Sequence, residues 1–238
     1  MNSKDKSIAV MQPYIFPYIG YFQLINAVNE FIFYDDVNFI KRGWINRNKI
    51  LVNGKEHLIS FPCIKASQNK LVKETKIDVS DKEYKKNLNS IEFNYKKSPH
   101  FNDVYPLVKG VLNQNHDTIA DLCIFSVKSI SSYLGLDTKF KKSSEDFQHT
   151  KKYKKNERLK AITKLENAST YVNAIGGREL YDKSDFKDSA IDLYFLNPKF
   201  KPYQQFDNDF VSGLSIIDVL MFNSKENVIK MVNQYELL

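Results

Sequence analysis

The sequence predicts an α/β fold: a Rossmann-like, mostly parallel sheet with a β-hairpin excursion and a helical subregion, all in one domain over residues 1–238. Short apolar runs alternate with helical periodicity at both ends of the chain, which favours a parallel sheet. An Asn-Gly pair separates two strand-like runs, and a helical subregion is expected at about residues 80–135. A chain of 238 residues with 42% hydrophobic content can bury one large core.

Ser7 to Met11 is a short apolar run stopped by Gln12-Pro13, where proline removes a ladder donor. From Gly20 onward, Tyr21, Leu24, Ile25 and Val28 recur at helical spacing, and Glu30 to Tyr34 follows as a buried strand ending on Asp35 and Asp36. In such a unit the loops at the carboxyl ends of the strands carry function. Lys49 to Val52 and Glu56 to Phe61 flank Asn53-Gly54, the turn pair of a tight hairpin.

The helical third opens at Ser80, where Ser80 and Glu83 have capping-box spacing, and presents Tyr84, Leu88, Ile91 and Tyr95 along one face. Two more helices are expected over Asp103 to Asn113 and Thr118 to Leu134, the latter stopped by Gly135. Alternation then resumes: a strand at Thr138 to Lys141, a helix near Asn156 to Asn167, and strands at Ser169 to Ala174 and Ile191 to Leu196. Ser215 and Asp218 repeat the cap spacing at the start of a final helical region.

No window approaches the roughly 18 consecutive apolar residues of a membrane span, and Met1 to Lys6 is polar, so a cytoplasmic protein is expected. Cys63 and Cys123 read as free thiols, and the four scattered histidines have no metal-ligand spacing, so no metal centre is expected. No Gly-x-Ser-x-Gly elbow or reactive-cysteine signature points to a covalent acyl-enzyme. The net charge of +7 suits nucleic acid, an acidic surface or a phosphorylated small molecule, but no RNA-binding motif accompanies it. Nucleic acid is therefore not an expected partner, except tRNA as a donor.

The least ordinary stretch is Gln12-Pro13-Tyr14-Ile15-Phe16-Pro17-Tyr18-Ile19-Gly20-Tyr21-Phe22, in which two prolines prevent regular structure and Gly20 permits close approach to a helix start. With Asp35-Asp36-Val37 and Trp44-Ile45-Asn46-Arg47-Asn48, it resembles the hallmark of the WbqC-like family. Ser143-Ser144-Glu145, Asn156-Glu157-Arg158-Leu159, the Tyr171 to Tyr181 segment and Leu214 to Asp218 extend the resemblance over nearly the whole chain.

The resemblance implies a role in surface-polysaccharide (O-antigen, lipopolysaccharide) biosynthesis, with a nucleotide-linked sugar as substrate. The implied reaction is acyl or aminoacyl transfer, with glycine among the donors, onto the amino group of a nucleotide-linked deoxyamino sugar. A noncatalytic sugar-nucleotide-binding or pathway-partner protein is the alternative. ATP, a coenzyme A thioester and aminoacyl-tRNA all remain open as the source of activation. Tyr18-Ile19-Gly20-Tyr21 also resembles the His-Ile-Gly-His of nucleotidylyl-transferase-like enzymes, but both histidines are tyrosines, which carry no positive charge at neutral pH.

Candidate catalytic residues are Asp36, Tyr18 and Tyr21, and candidate substrate-binding residues are Gln12, Tyr14, Gly20, Asn46, Arg47, Asn48, Arg158 and Gly177. Adjacent carboxylates on a strand point to opposite faces, so only one of Asp35 and Asp36 is expected in a site. Arg42, Arg47 and Lys49 around Trp44 are a mixture suited to clamping phosphate while an aromatic plane meets a base or sugar. An ordinary strand-edge salt bridge is the competing reading for Arg47. The basic run His149 to Arg158 reads either as a closing loop or as a solvated lysine face, and Gly176-Gly177-Arg178 either as a phosphate cradle or as a simple turn.

Overall fold

The computed structural model describes residues 6–207 and 209–238, and the polar stretch 1–5 lies outside the described residues. Strand β1 (Ser7–Met11), helix α1 (Ile19–Asn26) and strand β2 (Glu30–Phe33) form the expected opening unit. The main sheet is completed by β5 (Lys139–Lys142), β6 (Thr170–Ala174), β7 (Asp192–Pro198) and β8 (Tyr235–Leu237). A separate antiparallel hairpin pairs β3 (Arg47–Val52) with β4 (Lys55–Ser60).

The sheet order is β5-β2-β1-β6-β7-β8, parallel except for the last pair. Counted along the chain within this sheet, the order is the 3-2-1-4-5-6 of doubly wound folds, whose strand order reverses between β1 and β6. At that reversal β1 and β6 pair only through Ser7 with Thr170 and Ile8 with Tyr171. By contrast, β1 follows β2 from Ile8 to Met11. The sheet therefore opens a crevice between β1 and β6 at the carboxyl ends of these strands.

Side-chain alternation divides the core into two layers. Ala9, Phe31, Phe33 and Val172 face one side, where they pack with α1, α4 (Ile119–Leu134), α8 (Ile216–Phe222) and α9 (Lys225–Val232). Ile8, Val10, Ile32 and Tyr171 face the other, against Leu159 and Ile162 of α6 (Asn156–Leu165) and Phe186 of α7 (Lys183–Lys187). Between β2 and β5 the chain makes the hairpin, then α2 (Lys82–Tyr95), α3 (Phe101–Asn113) and α4, and a short α5 (Ser143–Asp146) follows β5.

A buried carboxylate ties this excursion to the carboxy-terminal helices. Asp218 accepts hydrogen bonds from the Tyr95 hydroxyl at 2.8 Å, the Tyr203 hydroxyl at 2.6 Å and Gln205 Nε2 at 2.6 Å. Tyr95 in turn accepts the Leu51 main-chain N–H at 2.8 Å, so hairpin, α2 and α8 share one polar knot. Burial raises the Asp218 carboxyl above its ordinary value despite these three donors.

Several local readings shift. Helix α2 is capped by Asp81, whose carboxylate accepts the Glu83 N–H, whereas Ser80 bonds back to Asp78. The Asp78 turn displaces the cap by one residue. The Ser215 hydroxyl accepts the Ile217 N–H, and Asp218 does not close a capping box because the tyrosine knot holds its side chain. Thr118 with Asp121 does form a capping box on α4, and Gly135 ends that helix at φ 73°. Cys63 and Cys123 are free thiols, and among the described residues no helix is long and apolar enough to cross a membrane.

At the opposite edge of the sheet, Lys6 and Lys141 bridge Glu30 and Glu166 with N–O separations of 2.6–3.4 Å. Burial raises the Glu166 carboxyl, but hydrogen bonding with Glu30, Lys141 and Lys6 outweighs it and holds the value at about 2. A depressed folded value stabilises the fold above the ordinary glutamate value and is lost as pH falls through the folded one. Glu166→Gln is expected to cost about 2 kcal/mol at neutral pH. In denaturant unfolding, its deficit against wild type should shrink between pH 5 and pH 2.

Candidate functional site

The loop from Gln12 to Tyr18 leaves the carboxyl end of β1 at the edge of the crevice. Its two prolines leave main-chain groups without ladder partners, and neighbouring segments supply them. Asn48 Nδ2 donates to the Ile15 and Phe16 carbonyls at 2.9 and 2.6 Å, and the Ser215 hydroxyl donates to the Phe16 carbonyl at 2.7 Å. Ile15 N–H reaches the Ile45 carbonyl, and Ile216 N–H reaches the Pro17 carbonyl. Phe16 is held at φ 40°, a left-handed conformation that costs a non-glycine residue energy and needs such surroundings to persist.

This loop forms a cleft of about 240 Å³ lined by Tyr14, Pro17, Tyr18, Trp44, Asn48 and Gly213. Trp44 is 45% exposed, and the Lys49 ammonium lies 5.9 Å from its ring centroid. The Tyr14 ring packs 5.7 Å from that of Tyr21. Burial raises the hydroxyl pKa of Tyr14 and of Tyr18, so both are neutral hydrogen-bonding groups at neutral pH. Gly20 permits the close approach of Tyr18: a methyl group there would sit 2.6 Å from Tyr18 Cζ and 2.7 Å from its hydroxyl, so the ring would have to move. Without it, the Tyr18 ring lies across the first turn of α1.

A second polar cluster lies at the carboxyl ends of β2 and β5. Arg158 Nη2 donates to both Asp36 oxygens at 2.9 and 2.7 Å, and its Nε donates to the Thr150 hydroxyl at 3.1 Å. Its guanidinium stacks 4.8 Å from the Tyr34 ring centroid. Ser143 donates to Asp36 at 2.5 Å, Lys151 lies 3.5 Å from the same carboxylate, and Ser144 fixes Asp35 through N–H and hydroxyl at 2.9 and 2.6 Å. Burial pushes the Asp36 carboxyl up, but Arg158, Ser143 and Lys151 outweigh it and hold it below the ordinary aspartate value. A carboxylate so held is a poor proton acceptor at neutral pH.

The structure therefore brings Tyr14, Tyr18 and Asn48 to one cleft, with Gly20 behind Tyr18, and places Asp36 and Arg158 together in the second cluster. The Tyr21 hydroxyl donates to the Gln12 main-chain carbonyl at 2.8 Å and is buried, which raises its pKa well above the tyrosine value. Asn46 holds the Phe61 carbonyl at the base of the hairpin. Arg47 donates to the carbonyls of Gly43 and Arg42, so it shapes the loop carrying Trp44. At Gly177 a Cβ would sit 2.7 Å from Asn173 Nδ2 and 3.2 Å from the Tyr181 ring, so its missing side chain makes room for these neighbours.

Ser143, Ser144 and Ser215 carry no local site signal in the sequence, although all three lie in the segments that carry the resemblance. Their partners are 107 to 199 residues away in sequence, and no local pattern announces such contacts. Among the described residues no group of three or more His, Cys, Asp or Glu is placed to hold a metal ion.

A family model described as the WbqC-like protein family matches residues 12–230. An uncharacterized protein of Mycobacterium tuberculosis is 32% identical over 221 residues, covering 92% of this chain and 94% of the relative. No solved structure matches the chain.

Arg158→Met strands Asp36 as a buried charge with only Ser143 and Lys151 beside it. A loss of about 3 kcal/mol is expected. The double variant Asp36→Asn with Arg158→Met removes both charges and should recover a measurable part of that loss in denaturant unfolding.

Proposed function

Because the chain belongs to the WbqC-like protein family, we propose that it binds a nucleotide-linked deoxyamino sugar for surface-polysaccharide biosynthesis and catalyses acyl or aminoacyl transfer onto its amino group. The observation that carries this reading is the aromatic cleft at the carboxyl edge of a doubly wound sheet, the edge where such folds bind nucleotides. Trp44 offers a plane to the base or the sugar face, and Tyr14 and Tyr18 offer neutral hydroxyls to sugar oxygens. Arg42 and Arg47, beside Trp44 in sequence, supply charge for the diphosphate.

Amide formation needs alignment of the amine, removal of a proton and donors for the developing oxyanion. Tyr18 is the proposed oxyanion donor, Tyr14 and Gln12 are the positioning groups, and the amine's proton leaves to solvent water at the mouth of the cleft. Asp36 and Arg158 act from the second cluster by fixing the strand ends around the crevice. The donor is glycine or another acyl group, activated by ATP, as a coenzyme A thioester or on tRNA. A second reading, sugar-nucleotide binding without turnover, is favoured by the engagement of Asp36 with Arg158 and of Tyr21 with Gln12.

Calorimetry against nucleotide-linked amino sugars is expected to record binding that Trp44→Ala weakens by about tenfold, the loss of one aromatic contact. Mass spectrometry after adding each donor should then show the sugar gaining a glycyl or acyl mass. Binding with no mass gain under any donor would establish the second reading, and no binding of any nucleotide-linked sugar would remove both.

A further inference from the structure

Tyr18 and Gly213 are walls of two neighbouring hollows. One is the aromatic cleft; the other is bounded also by Ile19, Phe200, Phe210, Leu214, Val219 and Met231. This inner hollow offers a water-sized sphere only about 20 Å³, room for one heavy-atom group. Its walls are mainly aliphatic and aromatic carbon, and the hydroxyl of Tyr203, which also borders it, already donates to Asp218 at 2.6 Å. A water molecule held there would lack the two to four polar partners that buried water requires, roughly speaking. Ile19, Leu214 and Val219 are buried and form a floor that belongs to the core, whereas Phe200 at the rim is 36% exposed.

From this size, this lining and the two walls shared with the cleft, we infer that the hollow is a subsite for a single methyl group on the ligand held in the cleft. Resting on the sugar-nucleotide reading, it identifies the substrate class as a sugar whose exocyclic carbon is a methyl rather than a hydroxymethyl, a 6-deoxy sugar. Tyr18 is then a specificity-determining residue: its ring, laid over Gly20, divides the part of the site that meets polar sugar oxygens from the part that meets the methyl. A hydroxymethyl in the hollow adds one heavy atom and leaves its hydroxyl unpaired among carbon walls.

Calorimetry with thymidine-diphosphate-6-deoxyglucose and thymidine-diphosphate-glucose reads this directly. Wild type is expected to prefer the deoxy sugar by roughly 10- to 100-fold. Val219→Leu, which fills the hollow by one methylene, should abolish that preference while still binding the glucose derivative. Equal affinity of wild type for the two sugars would overturn the subsite and leave the sugar-nucleotide reading standing.

Xenon under pressure, followed through methyl resonances, tests the hollow without any nucleotide. Shifts at Ile19, Leu214, Val219 and Met231 that disappear in Val219→Leu are expected, and their absence in wild type would overturn the subsite. Xenon shifts together with no binding of these two sugars or of any nucleotide-linked amino sugar would overturn the sugar-nucleotide reading and, with it, the assignment to a 6-deoxy sugar. Circular dichroism of the variant separates filling from misfolding.

Discussion

The Phe16 carbonyl collects one hydrogen bond from Asn48 on β3 and another from Ser215 at the start of α8, while Phe16 itself sits at φ 40°. Three segments distant in sequence meet at that point. Each main-chain group in the loop would otherwise face the interior or solvent without a ladder partner, so the two side-chain donors are what allow a proline-containing loop to hold one shape. The cleft depends on that fixed shape, because Tyr14, Pro17 and Tyr18 all project from the loop and Asn48 is itself one of the walls. Helix α1 inherits its start from the same arrangement, with the Tyr21 hydroxyl returning to the Gln12 carbonyl.

Two buried carboxylates are stabilised by different means. Asp36 is paired with a guanidinium, and the charge-assisted contacts overcome its desolvation. Among the described residues Asp218 has only neutral hydroxyl and amide donors, and burial prevails over them. The first joins the ends of β2 and β5 to α6. The second joins the hairpin and α2 to the helices that close the sheet behind the cleft. Between them, these knots fix the positions of the elements that carry the loop and its walls, so the site is held by polar contacts set within an apolar core.

Elements with strong local signals were legible in the sequence. The β1–α1–β2 unit, the Asn53-Gly54 hairpin and α4 between Thr118 and Gly135 each depend on periodicity, a turn pair or a cap, all of which act over a few residues. The final helical region divides into α8 and α9 at Asn223 and Ser224, and strand β8 has no signal of its own: it is three residues long and exists because Tyr235 to Leu237 finds the open edge of β7. The loop that forms the cleft was identified from Pro13, Pro17 and Gly20. What each residue does there was less legible, because Asn48, Tyr21 and Arg158 look alike in sequence whether they face a ligand or a carbonyl. Only the fold shows that their polar atoms meet Phe16, Gln12 and Asp36.

Trp44 is the single tryptophan of the chain, and it stands in the wall of the cleft. Its emission therefore reports on this site alone. Titration with a nucleotide-linked amino sugar should quench or shift the Trp44 emission along a saturation curve matching the affinity measured by calorimetry. Calorimetric binding with unchanged emission would put the ligand elsewhere on the molecule and contradict the assignment of the cleft.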